Sequence, residues 1–175
     1  IQDNLQLPAD SYVIRVKEIE AGRAQVRVGK VLVMDLSGGG IDLPGEPTVE
    51  PTFGLPAQWI DVGHKEEASF RNLTVVDPST VLITHLTEII KDNMAELLSY
   101  TETQKLLDQL GEEYKKLVAD VIPDRLPVGS LQRVLQNLLK ERVSIRDLPA
   151  ILEGVSEASA LTRNLTLITE HVRSC

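Results

Sequence analysis

Apolar and polar positions alternate from Tyr12 to Lys17, with Tyr12, Ile14 and Val16 on one side and Val13, Arg15 and Lys17 on the other. A period of two predicts a half-buried strand. A turn centred on Gly22 is expected next, and Val26, Val28 and the run from Val31 to Met34 predict a second strand or strand pair. From Leu36 to Ala57 the pattern dissolves. Those 22 residues hold nine of the chain's twenty Pro and Gly residues, and a connection that long usually serves binding or is disordered. A short strand at Gln58 to Asp61, a charged helical stretch from His64 to Arg71 and a strand from Leu73 to Val76 follow. Asp77-Pro78 supplies an N-cap carboxylate and a first-turn proline, starting a helix expected to reach about Leu98. At about 100° per residue its apolar stripe gathers Leu82, Leu86, Ile89, Ile90 and Leu97, with Val81, Thr84 and Glu88 on roughly the opposite side. Val81 therefore either packs under the neighbouring loop or lines an outward groove.

From Ser99 the pattern is purely helical. Ser99 to Glu102 reads as a capping box opening a helix to about Leu110, Gly111 is a break, and a short helix ends before Pro123. Leu131, Val134, Leu135, Leu138, Leu139 and Val143 recur at the spacing of one helix face. A turn at Ser144 to Asp147 leads to a helix carrying Leu148, Ile151, Leu152 and Val155, and another helical pattern starts at Leu161. The fold class expected is α+β: a mixed α/β region over residues 1–98, then a helical region over 99–175.

Composition narrows the chemistry. Only six of the 175 residues are aromatic, so the core must be aliphatic and stacking platforms for single-stranded nucleic acid are not expected. The net charge of -8 is concentrated in residues 35–113, where 15 acidic side chains face 4 basic ones. A phosphate backbone needs clustered Lys and Arg, so this block argues against nucleic acid and anionic membrane surfaces. The helix-turn-helix look of residues 131–158 lacks a strongly basic balance and reads as helix packing. The sole cysteine, Cys175, is expected to exclude an internal disulfide framework and any cysteine-based zinc site, and His64, His85 and His171 lie far apart in sequence. His85 and Glu88 read as helix-surface polar residues. There is no phosphate loop, nucleophile elbow or HExxH motif, hence no positive sign of an enzyme and no cofactor expected. In the Pro-rich loop, Glu50-Pro51-Thr52-Phe53-Gly54-Leu55-Pro56 places a ring on a stiffened backbone; Phe53 either pins the loop or is offered to a partner.

Four stretches carry a resemblance: DNLQLPADSYVI at 3–14, LPGEPTVEPTFGLPAQWI at 43–60, TVVDPSTVLITHLTEII at 74–90 and VLQNLLKERVSIRDLPAILEGV at 134–155. In this order they strongly resemble the cytoplasmic domain of the FHIPEP family, the export-gate proteins of flagellar type III secretion, with relatives in virulence injectisomes. The resemblance implies the cytoplasmic portion of an integral protein of the bacterial inner membrane. It implies an α/β subdomain (about 1–28 and 78–98), a small inserted α/β subdomain (about 29–77) and a helical subdomain over 99–175. It further implies a ring of nine copies, other export-apparatus components as partners, and docking of flagellar export chaperones with their substrates at a hydrophobic dimple. Positions resembling that site are Glu50, Phe53, Val76, Val81 and Thr84, with Phe53, Val76 and Val81 as the apolar anchor and Glu50 and Thr84 as polar rim contacts. Relatives commonly carry an aspartate where Glu50 stands. The alternative expectation is a structural ring element without direct cargo contact.

Overall fold

Two strands, β1 (Ser11–Val16) and β2 (Ile19–Gln25), form an antiparallel hairpin in the computed structural model, which describes all 175 residues. The hairpin turns at Lys17 and Glu18, not at Gly22 as expected. Both turn residues have positive φ, 49° and 67°, as in the two-residue turns whose twist matches that of the flanking strands. Gly22 lies inside β2 because a helix passes close by: a Cβ there would collide with Ile89 Cδ1 and stand 3.0 Å from His85 Nε2.

Strands β3 (Lys30–Met34), β4 (Gly45–Val49), β5 (Pro56–Asp61) and β6 (Thr74–Val76) make a four-stranded antiparallel sheet in the order β4-β5-β3-β6. The stretch expected to be patternless therefore contains β4. Its position at the sheet edge is where a proline such as Pro47 is tolerated. One face buries Val31, Val33, Ile60 and Leu43 against Ala68 of helix α1 (Lys65–Phe70). The other buries Leu32, Ala57 and Trp59 against Val81 of helix α2 (Pro78–Asp92). Helix α1 ends in a Schellman motif, with Asn72 at φ 59° and the Leu73 N–H donating to Ala68 O at 3.0 Å, which turns the chain into β6.

Asp77 caps α2 as expected, its Oδ1 accepting from the Thr80 N–H at 2.7 Å. The buried stripe of α2 differs from the expected one. It is Val81, His85 and Ile89, at i, i+4 and i+8, while Leu86 and Ile90 are exposed. Counting apolar residues alone missed it because its central member is a histidine. The helix also stops at Asp92, and Met94–Leu97 forms a separate short helix, α3.

The backbone divides into two compact units, residues 1–90 and 91–175. The second comprises α3, α4 (Tyr100–Asp108), α5 (Lys115–Val121), α6 (Val128–Lys140), α7 (Leu148–Leu161) and α8 (Leu165–Ser174). Helix α6 is its axis: Leu131, Val134, Leu135, Leu138 and Leu139 are all buried, and α3, α4 and α8 pack against it. Ser99 Oγ accepts from the Glu102 N–H at 3.1 Å, Asp147 Oδ1 from Ala150 N at 3.2 Å and Asn164 Oδ1 from Thr166 N at 2.9 Å, so α4, α7 and α8 start at side-chain caps. The last helix begins at Leu165, not at Leu161, which closes α7.

The close approach at Gly22 predicts that Gly22→Ala destabilises the first unit by about 1–3 kcal/mol through overpacking. Adding Ile89→Val, which removes the colliding Cδ1, should return part of that loss. Chemical denaturation of the four members of the cycle measures the coupling, and simple additivity would contradict the packing account.

Candidate functional site

The loop between β4 and β5 is organised by one carboxylate. Glu50 is only 4% exposed; its Oε1 accepts the Thr52 N–H at 2.8 Å and its Oε2 the Phe53 N–H at 2.7 Å. Its own N–H donates to Leu55 O at 2.8 Å, and the Gly54 N–H donates to Glu50 O at 3.0 Å. Gly54 sits at φ +69°, a conformation other residues adopt with strain. A buried charge persists only when it is hydrogen-bonded, and these N–H groups supply that. Glu50 is thus a buried turn-former, both of its carboxylate oxygens taken by N–H groups of the loop. Thr52 Oγ1, within the same turn, is buried without a hydrogen-bond partner.

The turn lifts Phe53 out of the core. Its side chain is 63% exposed and belongs to no hydrophobic cluster, so it does not pin the loop by packing. Val81 is the opposite case. At 2% exposure it is a core residue packed with Trp59 and Leu32. Val76 is half-buried and packs on that same layer, and Thr84 is half-buried one helical step from Val81. The structure therefore brings Val76 and Val81 together in one packed layer and leaves Phe53 as the exposed ring.

Two residues at the site carried no sequence signal as a pair. Tyr12 OH lies 2.7 Å from His85 Nδ1, and the rings meet edge to face with centroids 5.6 Å apart. His85 is buried, not on the helix surface as expected beside Glu88. Burial, seconded by the negative charge of Glu50, pushes the Tyr12 hydroxyl up to about 12. Burial holds His85 below its ordinary value, with the Glu50 charge acting in the other direction. Glu50 therefore acts on the Tyr12 and His85 pair through its field while its oxygens hold the loop. The only trace in the sequence was the spacing of His85, four residues from both Val81 and Ile89.

The chain is thus an α+β protein with an aromatic side chain raised on a carboxylate-locked loop. Residues 1–175 match the model of the FHIPEP family, and the chain belongs to that family. It is 58% identical over 174 residues to the flagellar biosynthesis protein FlhA of Caulobacter vibrioides, covering 99% of this chain and 25% of that protein. To FlhA of Bacillus subtilis it is 42% identical, covering 99% of this chain and 26% of that protein. The chain thus spans about a quarter of the length of the curated relatives it matches. Among solved structures it resembles the Chlamydia pneumoniae CdsV protein with a TM-score of 0.85 at 28% identity, covering 98% of this chain and 49% of that one. The Shigella flexneri MxiA protein shares the fold with a TM-score of 0.70 at 23% identity, covering 98% and 52%. None of its helices is long and apolar enough to cross a membrane.

The buried histidine predicts a pH dependence. Its folded-state pKa lies below the ordinary value of 6.5, so the unfolded chain takes up the proton more readily. Its stabilising contribution is complete above pH 6.5 and is lost as the pH falls through the folded-state pKa. His85→Gln should therefore show a shallower decline of the denaturant midpoint from pH 7.5 towards pH 5, roughly the range a histidine spans. Equal slopes for both proteins would remove His85 from the account.

Proposed function

We propose that this chain is a docking platform of a flagellar type III export gate, receiving chaperone–substrate complexes on the cytoplasmic side of the inner membrane and passing substrates to the membrane pore. The exposure of Phe53 on a loop fixed by the buried carboxylate of Glu50 carries this reading. A ring already held in place loses little conformational freedom on binding, and buried aromatics dominate the energetics of small interfaces. Val76 and Thr84, half-exposed, are the flanking contacts, while Val81 supports the layer from beneath and is not touched by cargo. Residues 29–77, with the four-stranded sheet, serve as the inserted subdomain that carries the loop. Docking of this kind needs no cofactor.

A second reading, a ring element without direct cargo contact, is favoured by the exposure of Ile83, Leu86 and Ile90, which recur at i, i+3 and i+7 on α2. One fold relative is described as nonameric EPEC SctV-C, with a TM-score of 0.70 at 19% identity. Arg142 is a poor reporter for assembly, since it occupies the left-handed position after α6 at φ 61° and pairs with Asp92. Arg146, exposed and outside the ion pairs of the structure, is the cleaner position for charge reversal.

Phe53→Ala should weaken binding of flagellar chaperone–substrate complexes by about 1–3 kcal/mol, roughly 5- to 150-fold, with the melting temperature nearly unchanged. Calorimetric titration gives the affinity and a thermal melt the stability; full affinity in the variant would sink the docking role. Arg146→Glu or Ile90→Lys should instead lower assembly in sedimentation without changing chaperone affinity if the ring reading holds.

A further inference from the structure

We propose that Glu157, His171 and Cys175 form a surface site for a transition-metal ion of the zinc class. His171 and Cys175 lie four residues apart, the spacing that stacks two side chains on one side of a helix and is used by helical metal ligands. Glu157 comes from α7, which packs on α8. The three ligand atoms all lie within 4.8 Å of one another, and His171 Nε2 is already 3.2 Å from Glu157 Oε2. Zinc bonds of ~2.0–2.3 Å in tetrahedral geometry put ligand atoms roughly 3.3–3.7 Å apart, so modest side-chain rotation closes the set.

The surroundings favour an ion over a fortuitous cluster. Gly154, one turn before Glu157, lets the helices approach: a Cβ there would stand 3.3 Å from Val172 Cγ2 and 3.6 Å from Cys175 Sγ. The tight contact is with Val172, and the thiol stands at ordinary van der Waals distance beside it. Arg173, the nearest cation along α8, is held by Glu141 and Glu170 and so does not compete for Glu157. Cys175 Sγ donates to His171 O at 3.3 Å. Metal binding replaces that thiol proton, which is released to solvent, and the sulfur binds as thiolate. One nitrogen, one sulfur and one carboxylate oxygen suit Zn²⁺ or Co²⁺ over Mg²⁺ or Ca²⁺, and because all three residues are exposed, water fills the fourth position. This overturns the expectation that a lone cysteine excludes a zinc site: its partners are His171, one helical turn back, and Glu157, brought in by the packing of α8 on α7.

The test is a Co²⁺ titration of the 175-residue chain under a non-chelating phosphine reductant, followed by Zn²⁺ displacement. One equivalent should bind, with a near-ultraviolet thiolate-to-cobalt charge-transfer band and the visible bands of a tetrahedral ion, and Zn²⁺ should bleach both and raise the melting temperature. Cys175→Ser should abolish the charge-transfer band. His171→Ala and Glu157→Gln should each weaken binding by about tenfold or more, at least the effect of losing an outer-shell partner. These positions are exposed, so the apo variants should melt as the unsubstituted protein does. Absence of the charge-transfer band overturns the proposal, as does a Co²⁺ affinity and Zn²⁺-induced melting shift unchanged in His171→Ala.

Discussion

Helix α2 holds the first unit together through a buried stripe whose central residue is polar. Val81 closes one face of the four-stranded sheet, Ile89 lies against the hairpin at Gly22, and His85 sits between them. An unpaired imidazole there would leave buried polar atoms without water, a penalty of about 1–3 kcal/mol. The Tyr12 hydroxyl removes it, so one hydrogen bond allows a single helix face to serve both the hairpin and the sheet. Gly22 is the complementary concession on the strand, giving up a side chain so that the helix can come close.

The same region sets up the exposed ring. Trp59, Leu32 and Val81 pack together under the sheet, and Phe53 stands outside that cluster. Glu50 then fixes the loop backbone from inside, satisfying two N–H groups that would otherwise face solvent or partner. The result separates roles that a single surface patch would mix: the apolar layer gives rigidity, the carboxylate gives loop shape and the phenyl ring faces outward.

The helical half was legible because one signal governed it. In α6 each apolar residue at helical spacing is buried, and Ser99 caps α4 where its side chain predicts. The α/β half was read well where strands alternate and poorly where another principle won. Pro47 and its neighbours masked an edge strand, because edge position excuses a proline that a pattern count penalises. The stripe of α2 was misplaced because burial of His85 depends on Tyr12, seventy-three residues away. Leu86 and Ile90 were assigned inward for the same reason: apolar character says that burial is favourable, not that the fold supplies a surface to meet it.

Residue likeness carried the site further than residue role. Glu50, Phe53, Val76, Val81 and Thr84 were picked out by resemblance, yet the carboxylate and Val81 act from below the surface. The chemistry of the turn sets what the position of Glu50 needs. A short carboxylate accepts N–H groups two and three residues on, the geometry of an Asx turn, and here the additional methylene lets each oxygen take one of them. What the position requires is a buried acceptor for two backbone donors, and Glu50 meets it with one oxygen for each.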